Sequence, residues 1–212
     1  MYRMSFALVA AVSLAACADP QKERLQQSVQ ASYDKSTGKL TELTYDSDRN
    51  GRIDTWTEMN GTRPVRSRID RNEDGRFDRW EYFDAEGNLL KVGFSRADDG
   101  NPDAWAFADA TGAVSRIEIS SVRDENRIDR WEYYEGGTGA ARRLSRAEED
   151  TQHGGRPDKW ETYENGAIKT VAFDENGDGI ADRRLVYEGA TLLAIETQPD
   201  ASGAFARRVR AN

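Results

Sequence analysis

Through most of this chain, hydrophobic and polar positions alternate with a period of two. Arg79-Trp80-Glu81-Tyr82, Arg130-Trp131-Glu132-Tyr133 and Lys159-Trp160-Glu161 set aromatic rings against charges in this way. A period of two belongs to the β-strand, whose successive side chains leave opposite faces. A turn follows each run, as at Met59-Asn60-Gly61, Ala85-Glu86-Gly87-Asn88 and Glu164-Asn165-Gly166, and Asn-Gly is a signal for a two-residue hairpin loop. A second apolar run comes next: Leu90, Val92 and Phe94; Val114, Ile117 and Ile119; Ile168, Val171 and Phe173; Leu192, Leu193 and Ile195. Strand, turn and strand predict a β-hairpin. An earlier half-unit runs from Tyr33-Asp34 through Gly38 to Leu40-Thr41-Glu42-Leu43-Thr44-Tyr45.

The hairpins recur. Trp56, Trp80, Trp105, Trp131 and Trp160 are spaced by 24, 25, 26 and 29 residues, and Arg184 stands 24 further on. Ahead of each lies the frame of Gly75-Arg76-Phe77-Asp78-Arg79-Trp80, repeated as Gly51 to Trp56, Gly100 to Trp105, Asn126 to Trp131, Gly155 to Trp160 and Gly179 to Arg184. Self-similarity at such a period marks a repeat architecture. The expected fold is therefore all-β: an antiparallel meander of about seven hairpins with degenerate end units, twisted or curled. An aromatic stripe is expected on one face and a charged ladder on the other. No helical period is sustained, apart from Leu25 and Val29 one turn apart in a polar segment.

Three of the connecting loops carry acidic or amide residues at alternate places before a glycine. They are Asp46, Asp48 and Asn50 before Gly51; Asp70, Asn72 and Asp74 before Gly75; and Asp174, Asn176 and Asp178 before Gly179. An Asp occupies the ninth place in each: Asp54, Asp78 and Asp182. The pattern resembles the calcium loops of EF-hands, dockerins and thrombospondin type 3 repeats. Ca²⁺ takes six to eight hard oxygens, which a tight loop supplies from alternate side chains, and the sixth residue turns sharply, hence glycine. Only the second loop also has the twelfth-place carboxylate, Glu81; the first has Thr57 there and the last Leu185. The resemblance implies weak, extracellular-class calcium sites. The other loops are degraded: Ser95, Ala97 and Asp99 before Gly100; Ser121, Arg123 and Glu125 before Asn126; Asp150, Gln152 and Gly154 before Gly155. For these, Asx turns between strands suffice. Tyr33-Asp34, Phe83-Asp84 and Asp109-Ala110-Thr111-Gly112 also resemble the Tyr-Asp repeats of Rhs-type bacterial surface and toxin shells.

The N-terminus has a different character. Arg3 precedes the apolar run Phe6 to Leu14, which is too short for a permanent span, and Leu14-Ala15-Ala16-Cys17 follows. This resembles a bacterial lipoprotein signal with its lipobox. The resemblance implies a signal peptide at 1–16, acylation at Cys17, a tether over 17–31 and a hairpin domain over 32–212. It places the protein in the bacterial envelope, anchored to a membrane. Ala18 in place of Asp points to the outer membrane, on its periplasmic or surface face.

Composition adds exclusions. Charged residues make up 32% and the net charge is −8, which argues against a nucleic-acid partner. Cys17 and His153 are the sole residues of their kinds, so no disulfide forms within the chain. Any zinc site, Cys-His pair or Ser-His pair would need His153, which sits in a turn-like stretch. No phosphate loop or nucleophile elbow is present. The chain therefore reads as a calcium-holding envelope lipoprotein, a binding or structural scaffold for an unknown protein or glycan, and as not an enzyme. The alternatives are a carboxylate-pair, glycosidase-like hydrolase and a purely structural envelope protein without metal.

Overall fold

A computed structural model describes residues 29–137 and 142–211. The expected signal peptide, Cys17 and most of the expected tether lie outside these residues. The described residues form one antiparallel sheet of 15 strands, hydrogen-bonded in chain order from β1 to β15 and not closed into a barrel. Seven hairpins run from β1 (Val29–Tyr33) and β2 (Leu40–Tyr45) to β13 (Arg183–Glu188) and β14 (Thr191–Pro199), and β15 (Phe205–Arg210) adds one further strand. β1 takes in Val29, Gln30 and Ala31, which the sequence reading assigned to the tether; Val29 is thus a strand residue. The sequence reading also missed β15, although Asp200-Ala201-Ser202-Gly203 before it repeats the turn of Asp109 to Gly112. In both turns the Asp Oδ1 accepts the backbone N–H two residues on, at 2.8 Å.

Each hairpin carries a β-bulge just after its tight turn, at Thr41, Val65, Leu90, Ser115, Ser145, Lys169 and Leu193. Two residues oppose one there, which bends the strand and raises its twist. Where the bulged residue is hydroxylated it donates to a carbonyl of the facing strand: Thr41 to Ser32, Ser115 to Phe107 and Ser145 to Tyr133. The bulge also shifts the side-chain phase. Leu90, expected in line with Val92 and Phe94, is the extra residue and is 54% exposed. The turns differ in detail as well. Asn165 and Gly166 both adopt positive φ, as a type I′ loop requires. In the second hairpin, however, Asn60 pairs with Arg63, so the loop residues are Gly61 and Thr62 rather than Asn60-Gly61.

The faces are not segregated as expected. Odd strands do set Trp80 and Tyr82 opposite Arg79 and Glu81. Even strands interleave the reverse chemistry. One row across the sheet reads Trp56, Arg68, Trp80, Gly93, Trp105, Glu118, Trp131, Glu148, Trp160, Ala172, Arg184. On the other face Ile69, Phe94, Ile119 and Phe173 stand among Arg79, Arg130, Lys159 and Arg183. The physical reason is that a single layer must be wetted on both sides. Cationic stems replace the missing second layer by lying on rings: Lys91 over Tyr82 at 4.8 Å, Arg116 over Phe107 at 4.3 Å and Arg146 over Tyr133 at 3.4 Å. The buried hydrophobic set among the described residues is correspondingly small, with Trp80 and Trp105 its largest members.

Candidate metal centre

All the acidic loops lie at one end of the sheet and the tight turns at the other, because every hairpin runs the same way. A repeated backbone rung holds the loop end together. The ninth-place Asp donates its N–H to the last residue of the preceding strand, Asp54 to Tyr45 at 3.2 Å and Asp78 to Ile69 at 2.9 Å. Its carbonyl accepts from the first residue of the next loop, as Asp54 does from Asp70 at 2.8 Å. Each loop thereby starts from a fixed rung. Positive φ then recurs at the fourth and sixth places, with Arg49 at 67° and Gly51 at 98°, and Glu73 at 57° and Gly75 at 90°. That curvature turns the loop back on its own carboxylates.

In the first loop, Asp46, Asp48 and Asp54 each bring a carboxylate oxygen within 4.8 Å of the others. These three acids can hold a metal ion, since ionised carboxylates are acceptor-only and offer several lone pairs each. Asp46 Oδ1 accepts the Arg49 N–H at 2.6 Å and Oδ2 the Gly51 N–H at 2.7 Å. Asp54, 3% exposed, accepts the Ser47 N–H and Oγ–H on Oδ2 at 3.0 and 2.6 Å and the Thr55 hydroxyl on Oδ1 at 2.7 Å. Burial works to raise both carboxyl pKa values. The donors prevail and hold both below the ordinary carboxylate range: backbone N–H groups at Asp46, the Ser47 and Thr55 groups at Asp54. Asn50 donates Nδ2–H to Asp48 Oδ2 at 3.1 Å and, across the loops, to Glu73, which also pairs with Arg52 at 3.4 Å. Ser47, Thr55 and Glu73 were not foreseen from sequence. A hydroxyl in place two and at the strand start was the available signal for the first two.

The other two full loops share the backbone geometry without gathering their acids in the same way. In the second, Asp70 Oδ2 accepts Gly75 N–H at 2.9 Å, Asn72 Oδ1 accepts Asp74 N–H at 3.1 Å and Asp78 Oδ2 accepts Arg71 N–H at 2.8 Å. Glu81 does not join them. Its Oε1 accepts from Arg79 Nε at 2.9 Å within the strand, because β5 (Arg79–Phe83) has already begun and a strand cannot turn the twelfth residue back to the loop. In the last loop Asp174 accepts Gly177 and Gly179 N–H at 2.7 Å each. The Asn176 amide bridges Asp178 and Asp182 at 3.2 and 3.0 Å, so N–H donors face those carboxylates. The fourth loop is longer than the frame assumed. Its first place is Ser120, whose Oγ accepts Asp124 N–H at 3.0 Å, and the positive φ falls on Arg123. Ser121 and Glu125 therefore do not hold the first and fifth places. His153 lies on the fifth loop, its Nδ1 3.9 Å from Asp129 Oδ2.

No family model and no curated protein matches this sequence. Among solved structures, the chain is similar to S. aureus TarM in complex with UDP at 15% identity and TM-score 0.36, over 50% of this chain and 22% of that one. It is similar to the GtfA/B complex at 17% identity and TM-score 0.33, over 57% and 20% respectively, and to the TcdB2-TccC3-Cdc42 complex at TM-score 0.19, over 80% and 12%. The chain thus spans about a fifth of the length of TarM and of the GtfA/B chain. TarM and GtfA/B are glycosyltransferases, so the expectation that this chain is not an enzyme is withdrawn. Likeness of this degree assigns the chain no reaction.

Proposed function

We propose that this chain is a lipid-anchored protein of the bacterial envelope whose hairpin repeats form a calcium-clipped scaffold that displays a binding surface. The gathering of Asp46, Asp48 and Asp54 is the observation that carries the metal part of this reading. Calcium is the cation that fits hard, acceptor-only oxygens on a loop with room for water ligands. The second and last loops, with Asp70, Asn72, Asp74 and Asp78 and with Asp174, Asn176, Asp178 and Asp182, are weaker sites of the same kind. A bound ion would neutralise the carboxylate charge at the sheet's loop end and stiffen the connection from β2 to β3 (Thr55–Asn60). The anchor is supported by Leu14-Ala15-Ala16-Cys17 after a short apolar run. Several acyl chains on one cysteine hold a membrane more firmly than one, and the outer membrane is the expected site.

Calorimetry and thermal melts of the purified protein with millimolar CaCl₂ or MgCl₂ test the metal. Heat and a raised melting temperature with calcium, both lost in Asp54→Asn, support it; silence in both measurements ends it. Labelling with radioactive palmitate in a bacterial host tests the anchor, with Cys17→Ser as the control that must lose the label.

A further inference from the structure

We propose that Asn165 is a site of spontaneous deamidation, and that the acidic loops shield the asparagines of their own Asn-Gly pairs from the same reaction. The chain holds four such pairs: Asn50-Gly51, Asn60-Gly61, Asn165-Gly166 and Asn176-Gly177. A glycine has no Cβ, so its nitrogen is sterically open to attack the preceding side chain. That nitrogen gives up its proton to solvent and bonds to the Asn Cγ. The Cγ–Nδ2 bond breaks, and Nδ2 leaves as ammonia after taking a proton back from solvent. Water then opens the five-membered imide, at Cγ to give aspartate or at the main-chain carbonyl carbon to give isoaspartate. The nucleophile is the glycine amide, so the bond which that amide makes in the fold governs the rate.

In three of the pairs the amide is already engaged. Gly51 N–H donates to Asp46 Oδ2 and Gly177 N–H to Asp174 Oδ1, each at 2.7 Å. A carboxylate in that place also opposes the negative charge that the nitrogen gains before it attacks. The side chains are held as well. Asn50 Oδ1 accepts the Arg52 N–H at 2.9 Å and Asn176 Oδ1 the Asp178 N–H at 2.8 Å, so neither Cγ swings onto its glycine without breaking a loop bond. Gly61 N–H donates to the Leu40 carbonyl of the preceding hairpin at 3.1 Å.

Asn165-Gly166 differs. Both residues are exposed in the two-residue loop between β11 (Lys159–Glu164) and β12 (Ala167–Phe173). Among the described residues, nothing accepts from the Gly166 N–H and nothing bonds the Asn165 side chain. A Cβ built on Gly166 would meet no atom within 4 Å, so the loop stands open to solvent. The products act on the hairpin. Isoaspartate adds one carbon to the main chain of a loop whose length sets the pairing of Glu164 with Ala167. Aspartate adds a carboxylate next to Glu164, whose partner is Lys169 at 2.9 Å. The turn end of the sixth hairpin thus ages chemically while the acidic loops keep their asparagines.

The purified, metal-free protein is held in mildly alkaline buffer made with oxygen-18 water, either folded or in urea. Peptide mass spectrometry at intervals reads the label taken up at each of the four asparagines. Urea frees all four glycine amides and is expected to bring the four rates together. In the folded chain, Asn165 is expected to react about tenfold or more faster than Asn50 and Asn176, because a hydrogen bond to a carboxylate must break before attack. Asp46→Ala is expected to release Asn50 while Asn165 keeps its rate, with circular dichroism to verify that the variant is folded; if it is not, the ranking in the native chain decides alone. The proposal is overturned if Asn50 or Asn176 keeps pace with Asn165 in the folded chain, or if Asn165 reacts no faster than Asn60. It is overturned equally if Asn165 keeps its lead in urea, or if a folded Asp46→Ala leaves Asn50 unreactive. No arm uses calcium or an acyl chain, so this proposal and the scaffold reading fail separately.

Discussion

Phe77 stands edge-on to Trp56, ring centroids 5.4 Å apart and planes at 75°. The two belong to successive repeats, so the contact staples one hairpin to the next where a second sheet would otherwise cover both. Phe77→Ala is expected to destabilise the protein by about 2 kcal/mol, since it uncovers two indoles at once. Phe77→Leu should cost less. Urea unfolding of the two variants beside the native chain measures the difference.

A charge network on the opposite face gives the acid limit of stability. Glu161 accepts from Arg130 at 2.9 Å and from the Tyr163 hydroxyl at 2.7 Å, and pairs with Lys159 at 2.8 Å. Burial alone would raise its pKa, but Lys159, Arg130 and Tyr163 hold the carboxyl at about 2 against an ordinary 4.5. A depressed folded pKa stabilises fully above the unfolded value. The contribution is therefore intact above pH 4.5 and lost as the pH falls from there toward 2. Melting temperatures at pH 7, 4 and 2.5 should fall in sequence, and Glu161→Gln should lower the first while flattening the series.

Gly51 shows a purely conformational requirement. Its φ is +98°, and an added Cβ would have open space around it. Gly51→Ala is thus expected to cost about 1–2 kcal/mol from backbone strain alone, with no steric clash contributing. Because the strain lies in the candidate metal loop, the calcium-induced rise in melting temperature should also shrink.

β15 ends the sheet with Arg207, Arg208 and Arg210, all exposed. Charged side chains on an edge strand oppose pairing with a further strand. Replacing Arg207 and Arg210 by Thr should therefore produce concentration-dependent self-association in light scattering, while the native chain stays unchanged over the same range.

Several features were legible in the sequence because they rest on local chemistry. The period of two around Trp80 and Trp131 and the Trp spacing identify tandem hairpins, since strand alternation and turn residues are local properties. The bulges were half-legible: Ile168 and Val171 are three apart, and Val171 and Phe173 two apart, a phase slip that only an extra residue produces. In the acidic loops, residue types at alternate places name the acceptors but not whether they converge. Asp46, Asp48 and Asp54 do, whereas the Asn176 amide turns its N–H groups on Asp178 and Asp182, and no residue-type pattern separates those outcomes.

By itself, then, the sequence determined most of the strands, β15 and the start of β1 apart, with their order and the acidic end of each hairpin, through side-chain periodicity and the glycine demands of the loops. Only the tertiary structure decided which face carries what. Faces are set by pairing between strands, so Arg68 beside Trp80, or Ala172 beside Trp160, follows from register rather than from neighbours in the chain. Glu81 illustrates the same point: at the right place for a loop ligand, it lies in a strand, and the strand gives it to Arg79.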